Sequence, residues 1–152
     1  MPGESKSSPR EIQNYLGRIS GPLLDRIDLH VEVPRVKFRE ISGDRTGETS
    51  AEIRERVMAA RGLQHKRFAH KPKITCNARM ATKELKEFCA LNETTKELLK
   101  NAMAEYNLSA RAYDRILKVA RTIADLAASP NITSDHISEA IQLRSLDRQM
   151  WG

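Results

Sequence analysis

The chain is poor in several of the features that define common protein classes. Its two cysteines, Cys76 and Cys89, belong to no Cys-x-x-Cys motif and to no Cys/His cluster with metal-ligand spacing, so no metal ligand is assigned. Aromatic residues make up only 5% of the chain, which disfavours a β-sandwich. No apolar run approaches the roughly 18 residues of a membrane helix, and no signal peptide precedes the first polar residues. These absences predict a cytoplasmic protein with reduced thiols and no membrane span.

The motifs of a self-contained enzyme are also missing. There is no Gly-x-x-x-x-Gly-Lys-Ser/Thr phosphate loop, no apolar run ending in Asp-Glu to hold magnesium, and no local nucleophile motif. The four histidines are scattered and are expected at the surface or at helix ends: His30, His65, His70 and His136. We therefore expect this chain alone neither to bind ATP tightly nor to hydrolyse it.

What the chain has in abundance is charge and helix-forming residues. It contains 26 Lys and Arg residues against 20 Asp and Glu residues, a net charge of +6. This excess permits contact with nucleic acid or with nucleotide phosphates but does not require it. Because basic and acidic residues alternate on the predicted helices, a solvated surface is the simpler interpretation. Abundant Ala, Leu, Arg, Lys and Glu favour helices over sheets.

Helical periodicity dominates from residue 49 onward. Thr49 and Glu52 form a Thr-x-x-Glu capping box, and the helix that they begin extends to about residue 68, with Ile53, Val57 and Ala60 as its apolar stripe. Four further helices are predicted over residues 82–90, 93–106, 110–128 and 133–146, with caps at Thr82, Asn92, Ser109 and Thr133.

One segment has alternating apolar and polar residues instead of a helical period. Over residues 27–33, Ile, Leu, Val and Val alternate with Asp, His and Glu, which predicts a single strand. A short helix is expected before it, over residues 9–16. Since one strand cannot exist alone, we expect it to be extended and poorly paired, or paired through another chain.

Two segments resemble the AAA+ ATPases of the magnesium-chelatase-like (ComM) family. RISGPLLDRIDLHVEVP, residues 18–34, is similar to the stretch that leads into the last strand of the AAA+ core. LSARAYDRILKVARTIADL, residues 108–126, resembles the lid helix that carries the sensor 2 arginine, and residues 132–148 are similar to the last lid helix. The family's cysteine-rich loop before the first segment is replaced by Ser7 and Ser8, so no zinc role is assigned.

The resemblance implies a fold and a domain organisation. The chain would be mainly α, an all-helical AAA+ lid bundle of four to five helices, preceded by a short helix and one strand left over from a truncated α/β ATPase core. Residues 1–34 would form the C-terminal edge of the core, residues 35–48 a linker, and residues 49–152 a helical linker and the lid.

The resemblance also implies two site residues. Arg26 would be an arginine finger, placed by a short turn before the strand so that it reaches the ATP of a neighbouring subunit. Arg111 would be the sensor 2 arginine, two residues inside the Ser109 cap, where free amides and the helix dipole favour phosphate. The residues themselves leave simpler roles open, namely an ion pair of Arg26 with Asp25 or Asp28, or of Arg111 with Asp114. Arg18 is a weaker candidate finger, and Arg115 and Arg121 are expected on the helix surface.

For a complete protein, the resemblance implies an ATPase that uses ATP and Mg and assembles into a homo-oligomeric ring, a hexamer. The implied work is branch migration of DNA during natural transformation; an alternative is metal insertion into a porphyrin. A further alternative, from the residues alone, is a free-standing basic helical DNA-binding or adaptor module. Its recognition surface would be Arg111, Arg115, Lys118 and Arg121.

Overall fold

The computed structural model describes residues 8, 10, 14, 23, 26–31, 33 and 47–144. Within this part, the chain forms five α-helices and one short 3-10 helix. The α-helices are α1 (Ser50–Arg67), α2 (Thr82–Phe88), α3 (Glu93–Glu105), α4 (Ala110–Leu126) and α5 (Ser134–Gln142), and the 3-10 helix is Asn77–Arg79. The prediction of a mainly helical fold is confirmed.

Most helix starts follow from local capping chemistry. The Thr49 N–H donates to Glu52 Oε2 at 2.7 Å, and the Glu52 N–H donates to Thr49 Oγ1 at 3.3 Å, which completes the predicted capping box of α1. The predicted caps of α3 and α4 are also confirmed, with distances of 2.8 Å for Thr95 N to Asn92 Oδ1 and 3.2 Å for Ala112 N to Ser109 Oγ. Ala81, and not Thr82, is the N-cap of α2, because the Glu84 carboxylate accepts the Ala81 N–H at 3.1 Å.

The core is built around α4. This helix contacts α1, α2, α5 and the 3-10 helix, and α3 packs on α5. Its buried stripe includes three alanines, Ala112, Ala120 and Ala124, whose small side chains let neighbouring helices approach closely. Ile116 and Ile137 are fully buried between α4 and α5, and burial of such a side chain contributes about 1.5–3 kcal/mol to folding.

The apolar stripe predicted for α1 is wrong in its first half. Ile53 and Val57 remain 44% and 45% exposed, whereas Ala60 is buried. The helix packs against α4 only through its C-terminal half, where Gln64 and the following Phe68 are buried. Within the described residues no element covers the first half of α1. The helical periodicity alone therefore could not show which part of the apolar stripe packs against another helix.

The predicted strand over residues 27–33 is not formed as a strand in its described residues, 27–31 and 33. His30 makes one isolated parallel bridge with Arg144, and a single bridge cannot propagate without a neighbouring strand. His30 itself is buried, contrary to the expectation of a surface histidine. The predicted linker over residues 35–48 lies outside the described residues except for Gly47 and Glu48. The last helix was predicted to extend to about residue 146, but it ends at Gln142 with Leu143 as its C-cap.

No helix in the described part of the chain is both long enough and apolar enough to cross a membrane.

Candidate arginine site at the edge of the helical bundle

The first predicted site residue, Arg26, lies in a turn. Its backbone N–H donates to the Leu23 carbonyl at 3.0 Å, which closes the turn, and its side chain is exposed. Of the two ion pairs considered for Arg26, the pair with Asp28 is not formed, and the Asp28 carboxylate contacts a different arginine; Asp25 lies outside the described residues. No described residue pairs with the Arg26 guanidinium. The guanidinium is therefore accessible to a ligand or to another chain.

The second predicted site residue, Arg111, is the second residue of α4. It follows the Ser109 cap and is exposed, and within the described residues it makes no ion pair with Asp114 or with any other carboxylate. A cation in a first turn is locally unfavourable, since the positive end of the helix dipole lies there. Its exposure leaves the guanidinium accessible to an anion.

An ion pair connects the neighbourhoods of these two arginines. The Arg115 Nη1 donates to Asp28 Oδ1 at 2.5 Å. Asp28 follows Arg26 by two residues, and Arg115 follows Arg111 by one turn of α4. No local sequence pattern predicts this pair, because its members are 87 positions apart. Arg115, which was expected on the helix surface, is partly exposed and also makes an ion pair with the segment that carries Arg26.

Two further contacts fix the same segment at the end of α5. The His30 N–H donates to the Leu143 carbonyl at 2.6 Å, and Arg144 Nη1 donates to the Ile27 carbonyl at 2.9 Å. Arg144 is buried with His30. Both contacts involve backbone groups of the 27–30 segment, so they set its register along the bundle.

A buried polar network lies at the other end of α4. The Asp125 carboxylate accepts hydrogen bonds from Arg67 Nη1 at 2.7 Å, from Asn77 Nδ2 at 2.8 Å and from Arg121 Nε at 3.1 Å. Arg121 also donates to the carbonyls of Pro130 and Ser129. This network joins α1, the 3-10 helix, α4 and the loop before α5.

The position of Arg121 is a second correction, since it was expected at the surface. A signal existed in the sequence: Arg121 and Asp125 are four residues apart on the same side of α4 as buried Leu117 and Ala124, a spacing that favours ion pairs. Burial would raise the pKa of Asp125, but hydrogen bonds from Arg67 and Asn77 and the charges of Arg67 and Arg121 hold that pKa below its usual value. Burial lowers the pKa of Arg121, and Asp125 opposes this change.

Neither cysteine forms a disulfide within the described residues. Cys76 and Cys89 are free, and burial raises the pKa of the Cys89 thiol to about 11, so this thiol is protonated at neutral pH and is a poor nucleophile. Within residues 47–144 and the shorter described stretches, no three His, Cys, Asp or Glu side chains are grouped to hold a metal ion.

Comparison with known proteins decides the family. The family model described as "Magnesium chelatase, subunit ChlI C-terminal" matches residues 47–144, and the model "Magnesium chelatase, subunit ChlI" matches residues 2–41. The chain belongs to the magnesium-chelatase-like family. Arg26 and Asp28 therefore lie in the first matched region of this magnesium-chelatase-like chain, and Arg111, Arg115 and Arg144 lie in the second.

Relatives cover nearly all of this magnesium-chelatase-like chain. It is 44% identical to the "Competence protein ComM" of Haemophilus influenzae and 40% identical to the uncharacterized protein YifB of Escherichia coli, over 95% of its residues in both cases. It is 33% identical to the uncharacterized protein Mb2921c of Mycobacterium bovis over 87% of its residues. The chain spans 28% of the length of the first two relatives and 26% of the third. The recognition of a ComM-like chain from the two motifs is confirmed.

Proposed function

We propose that this chain is the lid-bearing part of an ATP-dependent AAA+ motor, and that Arg26 and Arg111 bind the phosphates of ATP in the complete protein. The observation that carries the proposal is the state of the two guanidinium groups. Both are exposed, neither is paired with a described carboxylate, and both occupy the positions that the family resemblance assigns to phosphate-binding arginines.

The chemistry of phosphoryl transfer accounts for the choice of arginine. Negative charge spreads over the oxygens of the transferred phosphoryl group, and an arginine brought against them accelerates the reaction by roughly 10³–10⁵-fold. Arginine stays charged at any physiological pH and can donate to two oxygens at once. Arg26 would act on the ATP of a neighbouring subunit in a homo-oligomeric ring, a hexamer, whereas Arg111 would act within its own subunit or across the boundary.

The family also implies Mg²⁺ with the ATP. Within the described residues no three His, Cys, Asp or Glu side chains are grouped around a common point, so no Mg²⁺ ligand is assigned to this part of the chain. The proposed roles of Arg26 and Arg111 involve no metal ligand from this part of the chain. The work of the motor would take place in the cytoplasm.

DNA is the cargo that we propose for the motor. The net charge of +6 suits a polyanion, and the Haemophilus influenzae relative carries the name competence protein. The name of the matching family model supports the alternative cargo, a metal ion delivered to a porphyrin. Stimulation of the ATPase rate of the complete protein by DNA would support DNA as the cargo. Stimulation by a porphyrin with Mg²⁺ instead would support the metal ion as the cargo and would contradict the DNA proposal.

The four basic residues considered as the recognition surface of a DNA-binding or adaptor module do not form one exposed row on α4. Of its four basic residues, only Arg111 is exposed. Arg121 is buried, Arg115 is held by Asp28, and the Lys118 Nζ donates to the Ala78 carbonyl at 3.1 Å. Helix α4 therefore does not present a row of basic side chains to a DNA groove.

The test of the proposed function is ATP turnover by the complete protein that contains this chain. Arg26→Ala and Arg111→Ala should each lower kcat by at least roughly a hundredfold, because both groups meet charge that grows in the transition state. Arg79→Ala is the matched control, since Arg79 is also exposed and should leave kcat unchanged. Near-normal kcat in both site variants would refute the proposal.

A further inference from the structure

The segment that carries Arg26 is attached to the helical bundle at two places. Backbone groups of Ile27 and His30 contact Arg144 and Leu143 at the end of α5. The Asp28 side chain contacts Arg115 on α4. This ion pair is a polar side-chain contact between the segment and the helix that carries Arg111.

We propose that Asp28 and Arg115 are positioning residues: their ion pair holds the Arg26 turn and the first turn of α4 in one fixed arrangement. This inference rests on the proposed function of Arg26 and Arg111. One helical turn, about 5.4 Å, separates Arg115 from Arg111 along α4, and two residues separate Asp28 from Arg26. Whatever moves α4 therefore moves the Arg26 turn with it.

The physical character of the ion pair suits a positioning role. Its side chains are 32% and 38% exposed for Arg115 and Asp28, so water and salt screen their attraction and its loss should leave the chain folded. The charge-assisted hydrogen bond nevertheless joins a side chain of the Arg26 segment to a side chain of α4, and so restricts the separation of two backbone elements. Without it, the backbone contacts at α5 would still form but would open more often.

Small displacements matter at such a site. A misplacement of about 1 Å at a reacting group can cost roughly a hundredfold in rate, so a turn held at α5 alone would present Arg26 less accurately. Because AAA+ lids are expected to move with the nucleotide, the ion pair would also transmit movement of α4 to the Arg26 turn.

The first arm of the test uses this chain and needs no ATPase activity. Amide hydrogen exchange is measured for Arg26 and His30, whose N–H groups donate to Leu23 and Leu143. Asp28→Asn and Arg115→Gln should each accelerate the exchange of both amides, and the swapped variant Asp28→Arg with Arg115→Asp should slow it again. The matched control is the exposed pair Glu93 and Lys96, whose substitution by Gln should leave these amides unchanged. Unchanged exchange in the single variants would overturn the inference.

The second arm uses the complete ATPase. Each single variant should lower kcat roughly three- to tenfold with KM for ATP unchanged, and the swapped variant should recover most of it. If Arg26→Ala lowers kcat but the Asp28 and Arg115 variants do not, or if the swap restores nothing, the positioning role is wrong while the proposed function stands. If neither Arg26→Ala nor Arg111→Ala lowers kcat, the proposed function is wrong, and so is the positioning role that rests on it. This holds even if the hydrogen-exchange measurements show that the ion pair stabilises the segment.

Discussion

The Asp125 carboxylate lies between two arginines in the core, with Arg67 Nη1 at 2.7 Å and Arg121 Nε at 3.1 Å from its oxygens. Its side chain is 0% exposed. One negative charge therefore compensates two positive charges on α1 and α4, helped by the Asn77 amide and by the Ser129 and Pro130 carbonyls. We expect the packing of α1 on α4 to depend on this compensation.

The first prediction is that Asp125→Ala destabilises this chain by about 3–5 kcal/mol, because it leaves buried arginine charge without a partner. Urea unfolding followed by circular dichroism at 222 nm measures the change. Glu105→Ala is the control: Glu105 is exposed at the end of α3, and its loss should change the free energy of unfolding by no more than about 0.5 kcal/mol. Equal effects of the two substitutions would contradict the proposed importance of the network.

The second prediction concerns the acid limit of stability. Since the pKa of Asp125 is lower in the folded chain than its ordinary value of 3.8, its ionisation stabilises the fold fully above that value, and the contribution is lost as the pH falls through the folded pKa. The free energy of unfolding of the wild-type chain minus that of Asp125→Asn should therefore be constant between pH 7 and pH 5 and should shrink below pH 3.8. A difference that shrinks already between pH 7 and pH 5 would contradict the lowered pKa.

The third prediction concerns the end of α4. Ala128 has a left-handed backbone with φ of 51°, and the following Ser129 N–H donates to the Ala124 carbonyl at 2.8 Å, as in a Schellman motif. Glycine avoids the strain of this conformation, which costs roughly 1–2 kcal/mol, but it adds unfolded-state entropy worth about 0.4–1 kcal/mol. Ala128→Gly should therefore raise stability by about 0.5 kcal/mol, visible as a higher Tm.

The control for this prediction is the preceding residue. Ala127 has φ of −82°, where glycine relieves no strain, so Ala127→Gly should lower stability by about 0.5–1 kcal/mol. The opposite signs of the two substitutions are the result to look for, and a loss of stability at both positions would mean that the left-handed conformation of Ala128 is not maintained.

The fourth prediction tests whether Arg26 acts across a subunit boundary in the proposed ring. Complete subunits carrying Arg26→Ala are mixed with subunits whose ATP-binding residues are inactivated, each form being inactive alone. A mixed boundary can place an intact Arg26 against an intact ATP site, so the mixture should regain part of the activity. The ATPase rate is measured as a function of the mixing ratio. No recovery at any ratio, with mixed assemblies verified, would place Arg26 in its own subunit's site.

Several features of this chain were determined by the sequence itself. The N-caps Thr49, Asn92 and Ser109 were predicted, because each cap bonds to an amide three residues along the chain. The buried stripe of α4 was predicted too, since Ala112, Ile116 and Ala120 recur with the helical period. The motifs around Arg26 and Arg111 indicated the family, and the two matched regions confirmed it.

Other features were decided by the tertiary structure. Arg121 is buried because Arg67, Asp125 and two loop carbonyls from separate parts of the chain satisfy the cluster, and periodicity cannot show such partners. Ile53 stays exposed because α4 packs against the C-terminal half of α1 and does not cover its first half. The Arg115–Asp28 pair joins residues 87 positions apart. Capping and periodicity act within a few residues and can be read locally, whereas burial of charge and contact across the bundle depend on which elements meet in space.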